Sequence, residues 1–262
     1  MRKLYHYQGK SVGFLKDVLT NNRVYFSNPN NFNDPWDCNP YFDVDVDDAI
    51  ERRKWGERLE GTYQDLPIQL RQQLEAQWKG NWYDNKPLLK QSVEKLTATV
   101  RELTVERWRI YCLTPHPNSI LLWAHYAEKH QGICLEFDAR IEQIGRAHRV
   151  VYNDMLPIIG PDNFADPKGL VDAVLLTKSR EWRYEDEYRV LAREHEIDPT
   201  FSMTTKKDYL PLVPGALTGI IAGCSADIGT IKAVLAECGS TVPLRHAVRI
   251  PNQYQLEIVD YL

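Results

Sequence analysis

The sequence predicts a mixed α+β fold that is interrupted by a helical insertion, and three observations support this. Short segments with strand-like alternation of apolar and polar residues occur towards both ends of the chain. Between residues 43 and 108, stretches rich in Glu, Arg, Gln and Lys carry apolar residues at helical spacing. A chain of 262 residues can bury a full core without metal or disulfide cross-links. We therefore expect a single α+β domain over residues 1–262, with a helical lid or arm at about 43–108.

The N-terminal part of the chain is expected to contain two strands, a helix and a loop. Residues 4–7 and 23–27 alternate as short strands do. Between them, Ser11 is a good N-cap for a helix with a regular apolar stripe. Residues 28–35 are rich in Asn, Asp and Pro, which favour turns, so we expect a structured loop there.

After the insertion, strands and short helices are expected to follow one another to the C-terminus. Ser119 is predicted to cap one helix, and Ser225 to cap another over residues 226–237 that ends at Gly239. Strands are predicted at residues 110–113, 133–137, 149–152, 188–192, 219–222, 247–250 and 256–261.

Composition excludes two classes of protein. With 32 Lys and Arg against 36 Asp and Glu, the formal net charge of −4 does not fit a strongly basic nucleic-acid coat or a polybasic membrane-surface protein. The five cysteines form no Cys-x-x-Cys pair, which favours reduced thiols. No signal peptide is visible, and no apolar run is long enough to span a bilayer. We expect a soluble, cytoplasmic protein that does not bind membranes; its oligomeric state is open.

The first candidate for chemistry combines the two N-terminal strands. His6 lies on the first strand, and Tyr25 and Ser27 lie on the second, each strand being next to a polar loop. These side chains are expected to face one cleft. The alternative is a partly buried His6 that is satisfied by a backbone carbonyl group.

A second candidate is the acidic segment before the predicted strand at 188–192. On an extended backbone Glu185 and Glu187 project to the same side, because side chains alternate with period two. Two such carboxylates repel each other, which raises the pKa of one and suits it to polarise a hydroxyl group. The alternative is an edge strand whose acids face water or pair with Arg183 and Arg189.

The third candidate lies on the helix after Ser119. Its C-terminal part carries Trp123, His125 and Tyr126, which form either a nucleobase platform or a part of the core. His125 also belongs to a short stretch with His116, His130 and Cys134, but their spacings match no common zinc motif, so we predict no metal site. Phosphate-binding and dinucleotide-binding glycine motifs are absent from the sequence.

Several motifs together resemble an uncharacterised bacterial family that is described only as a domain of unknown function. The matching blocks run in order from about residue 3 to residue 192. They are Leu4-Tyr5-His6-Tyr7, Val24-Tyr25-Phe26-Ser27, Phe32-Asn33-Asp34-Pro35-Trp36-Asp37, Leu122-Trp123-Ala124-His125-Tyr126, Gly132-Ile133-Cys134-Leu135-Glu136-Phe137-Asp138, Lys178 and Trp182-Arg183-Tyr184-Glu185-Asp186-Glu187-Tyr188-Arg189.

The order of the motif residues is also similar to the NAD-binding core of ADP-ribosyltransferases. This resemblance implies a mainly antiparallel β core and NAD as the substrate. It assigns His6 to the nicotinamide-side ribose and Ser27 or Tyr25 to the nicotinamide. Glu187 becomes the catalytic acid at the ribose 2′-hydroxyl, with Glu185 as the outer member of a Glu-x-Glu pair.

The resemblance extends to further residues around the substrate. Tyr5, Tyr25 or Trp123 is expected to stack on the nicotinamide, with His125 and Tyr126 in the same site.

The remaining implied roles concern a loop and two cations. The loop with Asn33 and Asp34 is expected to close over the pocket, and Arg189 or Lys178 to pair with the pyrophosphate.

The sequence therefore predicts an NAD-consuming ADP-ribosyltransferase-like enzyme that acts as a toxin or phage-defence effector. The acceptor, whether a protein side chain, a nucleic acid or water, is open. Two alternatives remain: a non-catalytic module that binds a nucleotide or peptide, and a metal-dependent nuclease or hydrolase that uses His6, His125 and the acidic residues.

Overall fold

A computed structural model describes residues 3–64, 82–195 and 203–261 and shows a mixed α+β protein with mostly antiparallel sheets. In chain order the strands are β1 Lys3–Gln8, β2 Arg23–Tyr25, β3 Tyr41–Phe42, β4 Trp108–Leu113, β5 Ile133–Asp138, β6 His148–Arg149, β7 Val151–Asn153, β8 Ile158–Ile159, β9 Thr177–Ser179, β10 Tyr188–Glu194, β11 Met203–Thr205, β12 Tyr209–Pro211, β13 Leu217–Ala222, β14 Leu244–Arg249 and β15 Leu256–Asp260. The α-helices are α1 Val12–Asn21, α2 Ala49–Gln64, α3 Lys86–Arg107, α4 Ile120–Tyr126, α5 Glu142–Gly145, α6 Pro167–Leu175 and α7 Ile228–Glu237.

The chain divides into two compact units. The first unit comprises Met1–Asn31, Arg107–Val150 and Glu181–Leu262. The second comprises Phe32–Glu106 and Val151–Arg180. The predicted helices between residues 43 and 108 are α2 and α3, while residues 65–81 lie outside the described part. The second unit also includes residues 151–180, a segment that the sequence pattern did not group with the insertion.

The first unit contains two main sheets. One has five strands in the order β1-β5-β13-β14-β15, and the other has four, in which β10 pairs with β4, β6 and β11. The short pair β2–β12 is antiparallel. A large apolar cluster, with Leu4, Tyr111, Leu135 and Val190 among its buried members, packs between strands of both sheets.

The second unit has its own small aromatic core. Trp55 is fully buried, and its ring centroid lies 6.3 Å from the ring centroid of Phe42 and 6.1 Å from that of Phe164. Two short parallel pairs, β3–β8 and β7–β9, complete this unit. No helix in the described part of the chain combines the length and the apolar character needed to cross a bilayer.

Most predicted elements are confirmed, and three details were wrong. The predicted strand at 149–152 is interrupted at Val150, so that β6 and β7 pair with different strands. The last long helix begins after Asp227, whose carboxylate accepts from the backbone N–H of Thr230, rather than after Ser225. Ser11 occupies the N-cap position of α1 but makes no side-chain capping bond.

Candidate functional site

Strand β4 is the element that joins the predicted motif strands of the first unit. One edge of β4 forms an antiparallel ladder with β10. Beyond that ladder, Thr114 exchanges two backbone hydrogen bonds with Tyr5 of β1, at 2.8 and 2.9 Å. Ile110 does the same with Ser27, just after β2, at 2.8 and 2.9 Å. Two different strands therefore share one stretch of β4, and Cys112 lies midway between their attachment points.

His6 occupies the interval between these two attachment points. Its Nδ1 lies 2.8 Å from the carbonyl oxygen of Cys112. Burial lowers the pKa of His6 to about 4, against the opposing effect of that hydrogen bond. The imidazole is therefore neutral at pH 7, and Nδ1 must carry the proton because a carbonyl oxygen only accepts. Nε2 is left as a hydrogen-bond acceptor.

The second motif strand reaches the same place through its backbone. Ser27 is fixed opposite Ile110 by the two bonds described above. The ring of Tyr25 packs edge-on against Tyr209 of β12, with the ring centroids 5.6 Å apart. Burial, with a further contribution from Asp208, raises the pKa of Tyr25. Ser27 is thus brought to the β4 interval, whereas the Tyr25 ring is engaged with β12.

The prediction of an extended backbone through Glu185 and Glu187 was wrong. Residues Arg180–Glu185 form a 3₁₀ turn, and Asp186 has a left-handed φ of 42° before β10 begins at Tyr188. The period-two argument therefore does not apply. The carboxylate of Asp186 is held by Arg149 at 2.8 Å, which helps to fix this turn.

Both acidic residues are buried, and each carboxylate accepts hydrogen bonds from a neighbouring side chain. Glu185, 4% exposed, accepts a 2.6 Å hydrogen bond from the hydroxyl of Tyr126. Glu187, also 4% exposed, is bound by Nε and Nη2 of Arg189, at 2.8 and 3.1 Å. Arg189 is fully buried, so its placement does not offer the guanidinium to a pyrophosphate as expected. This geometry matches the alternative interpretation from the sequence, in which an acidic residue of this segment pairs with Arg189.

The rings of Tyr5 and Trp123 lie in a second apolar cluster, where neither presents a face to a ligand. Trp123 is fully buried, and its indole N–H donates to the carbonyl oxygen of Pro117 at 2.9 Å. Tyr7 packs edge-on against Trp123 at 5.0 Å. Burial and the neighbouring Glu136 raise the pKa of Tyr5 to about 12. Because strand side chains alternate, Tyr5 and Tyr7 lie on the opposite face of β1 from His6.

His125 and Tyr126 belong to an aromatic group on the surface of the first unit. His125 is exposed, and its ring centroid is 6.2 Å from that of Tyr126 and 6.3 Å from those of Trp182 and Tyr184. Since Tyr126 also bonds to Glu185, the predicted third motif is brought next to the acidic segment. Thr114 connects the acidic segment to the strand of His6. Its hydroxyl donates to the backbone carbonyl of Glu185 at 2.7 Å, and its backbone pairs with Tyr5.

Asn33 and Asp34 belong to the second unit. Asn33 is exposed, whereas Asp34 is buried and accepts a 2.9 Å hydrogen bond from the backbone N–H of Trp36. Its carboxylate is thus used to close the turn. In the same unit, the buried ammonium group of Lys178 lies 3.7 Å from Asp37.

The structure also shows features of the first unit that the sequence did not single out. Glu136, 1% exposed, accepts hydrogen bonds from Lys3, Arg245 and Thr218, and these bonds outweigh its burial and lower its pKa.

Among residues 3–64, 82–195 and 203–261, no group of three His, Cys, Asp or Glu side chains is placed to hold a metal ion. A pocket of about 270 Å³ is lined by Gly9, Lys10, Ser11, Val12, Leu15, Gln131, Ile133, Ser225, Asp227, Thr230, Ile231 and Val234, none of which was predicted as a site residue.

The contacts of Tyr111, Cys112 and Thr114 were also missed. Their strand was predicted, but pairing between distant segments carries no local signal that would connect them to His6 or Glu185. Comparison of the chain with protein-family models, curated proteins and solved structures finds no match.

Proposed function

We propose that this protein is an ADP-ribosyltransferase-like enzyme that consumes NAD, with His6 at the ribose and Glu187 as the acid that stabilises the transition state. The observation that carries the proposal is the arrangement around β4. The His6 strand, the Ser27 segment and the strand that follows Glu187 all hydrogen-bond to β4. Three segments far apart in sequence are thus collected on β4 and on Thr114, the residue that follows it.

His6 has the chemistry that such a substrate requires. A neutral imidazole with its proton on Nδ1 presents Nε2 to a hydroxyl donor. A ribose carries such donors. Because the pKa of His6 is lowered to about 4, this acceptor persists throughout the physiological pH range.

Glu187 is suited to act by its charge. The guanidinium of Arg189 stays protonated in proteins, and a positive charge at this distance favours the ionised form of the Glu187 carboxylate. In the proposed reaction the bond between ribose C1′ and the nicotinamide nitrogen breaks, and its electron pair leaves with nicotinamide. A fixed negative charge stabilises the positive charge that develops on the ribose. The acceptor then bonds to C1′ and loses a proton.

The direct test is nicotinamide release from NAD by the purified full chain, with protein, nucleic acid and water as candidate acceptors. We expect release by the unaltered protein and a loss of at least about a hundredfold in His6→Ala and Glu187→Gln, the scale of losing one electrostatic stabiliser. Glu142→Gln is the control, because that side chain is 86% exposed. Turnover at the unaltered rate in Glu187→Gln would exclude Glu187 as the catalytic acid.

The Glu187→Gln variant needs a companion, because it leaves Arg189 buried without its carboxylate. Breaking a buried ion pair from one side costs roughly 3–5 kcal/mol. The double variant Glu187→Gln/Arg189→Gln removes both charges. If it folds and still releases nicotinamide, the proposal for Glu187 fails.

A non-catalytic module that binds a nucleotide is the second candidate, and the Glu187–Arg189 pair favours it. A carboxylate held by two guanidinium bonds in the interior also fits a purely structural role. Saturable NAD binding without nicotinamide release, under every acceptor condition, would select this candidate. Membership in the uncharacterised bacterial family and a role in toxicity or phage defence stay predictions.

A further inference from the structure

Tyr111 stacks on two other rings inside the first unit. Its centroid is 4.2 Å from that of His6, with the planes inclined by 23°. The centroid of Phe26 is 5.2 Å from that of Tyr111, with the planes inclined by 25°. Tyr111 therefore connects the strand of His6 to the segment that ends in Ser27.

The hydrogen bond to Cys112 does not by itself fix the His6 ring. One bond at Nδ1 leaves the imidazole free to pivot about the line to the carbonyl oxygen of Cys112. A flat ring stacked on the imidazole fixes its plane, and the two constraints together define where Nε2 points. The Tyr111 side chain, which is 2% exposed, is held in place by the surrounding core.

The hydroxyl group of Tyr111 contributes no bond to this arrangement. Among the described residues it has no hydrogen-bond partner, although it is buried. A buried hydroxyl without a partner does not stabilise a fold. The contribution of Tyr111 to the stack therefore comes from its ring.

We propose that Tyr111 is a positioning residue for His6: its ring holds the imidazole so that Nδ1 stays on the Cys112 carbonyl and Nε2 is presented as an acceptor. The positioning itself is independent of the reaction, and its consequence for NAD turnover rests on the proposed function.

The test compares three variants that change the stack in different ways. Tyr111→Phe keeps the ring and removes only the hydroxyl, whereas Tyr111→Leu removes the ring. Phe26→Leu is the matched control, because it removes the other ring that stacks on Tyr111 and leaves the His6–Tyr111 pair in place. If Tyr111→Leu does not fold, Tyr111→Met replaces it. Methionine is close to leucine in volume and has no flat ring, but its flexible side chain fills irregular gaps better.

The readout is the imidazole nitrogen signals of His6 by NMR as a function of pH, in the absence of NAD. In Tyr111→Leu we expect the pKa of His6 to rise from about 4 by about one unit or more, with a mixture of tautomers. Tyr111→Phe and Phe26→Leu should keep the signals of the unaltered protein. An unchanged His6 in folded Tyr111→Leu, or an equal change in Phe26→Leu, would overturn the proposal.

Nicotinamide release provides a second, separate readout. In Tyr111→Leu we expect kcat to fall by about tenfold or more with little change in KM, because a misplaced group costs rate rather than binding. Tyr111→Phe should keep its kcat; a loss there, with His6 signals unchanged, would contradict a role for the ring alone. If the unaltered protein releases no nicotinamide, the proposed function fails, and the NMR comparison still decides the role of Tyr111.

Discussion

The two faces of strand β1 carry similar aromatic residues but differ in what those residues do. On one face Tyr5 and Tyr7 pack with the fully buried Trp123 in an apolar cluster. On the other face His6 stacks on Tyr111 and bonds to a carbonyl group in an interval of β4. The His6 face thus carries an imidazole whose Nδ1 is bonded to the Cys112 carbonyl and whose Nε2 is a hydrogen-bond acceptor.

The difference teaches that a high aromatic content does not by itself mark a site. Seven Trp and fourteen Tyr residues suggest ring platforms, yet Trp123 serves packing and a backbone bond to Pro117. What distinguishes His6 is its place between the two points at which β1 and the Ser27 segment pair with residues 110 and 114. If this comparison is correct, changes on the Tyr5 face should alter stability without altering nicotinamide release, whereas changes on the His6 face should alter nicotinamide release.

The largest effect is expected from Trp123→Ala. Removing a fully buried indole should lower the free energy of unfolding by about 3–5 kcal/mol, because a large cavity is left. Urea denaturation monitored by circular dichroism measures this. The His6 imidazole signals of the folded fraction should not change; a shift as large as that in Tyr111→Leu would show that the two faces are not separate.

The next effect is a pH dependence of stability from His6. Its pKa in the folded protein, about 4, lies below its ordinary value of 6.5, so the unfolded chain binds the proton more readily. The stabilisation is present above pH 6.5 and is lost as the pH falls from about 6.5 to 4. It amounts to at most roughly 3.5 kcal/mol, at about 1.4 kcal/mol for each pKa unit.

The measurement compares urea unfolding of the unaltered protein and His6→Gln at pH 7 and pH 4.5. The variant should show the smaller loss, although burial lowers the pKa of His130 as well and adds a dependence of the same sign to both proteins. His195→Gln, whose side chain is 66% exposed, is the control and should behave like the unaltered protein. Equal losses in all three proteins would place His6 in a solvated environment.

The smallest effect is expected from Tyr5→Phe, which removes the hydroxyl that interacts with the neighbouring Glu136 carboxylate. The carboxylate keeps Lys3, Arg245 and Thr218, so the free energy of unfolding should fall by only about 1 kcal/mol. Tyr254→Phe, at a fully exposed ring, should have no effect. The rate of nicotinamide release by Tyr5→Phe should match that of the unaltered protein. A loss of release in this variant would indicate that the site lies on the Tyr5 face of β1 and would contradict the comparison.

The sequence predicted well what local chemistry determines. The alternation in β1 and the cap of α4, where the Ser119 hydroxyl accepts from the backbone N–H of Leu122, follow from neighbouring residues. Local rules did not distinguish Asp227 from Ser225 as the cap of α7, because both residue types cap helices well.

The site was harder to predict because distant contacts determine it. The turn at Asp186 is fixed in part by Arg149, 37 residues away, so the period-two argument placed Glu185 and Glu187 wrongly. Likewise, the partner of His6 is a carbonyl 106 residues away. The notion that a backbone carbonyl would satisfy His6 was one of two interpretations, and residue types alone did not decide between them.

The most direct test of the central claim follows the His6 imidazole signals during a titration of the full chain with NAD at pH 7. The account predicts a saturable shift of Nε2 with Nδ1 little changed, because Nδ1 stays on the Cys112 carbonyl, and it predicts weaker NAD binding in His6→Ala. Saturating NAD that leaves both nitrogen signals unmoved, or equal binding by His6→Ala, would contradict it.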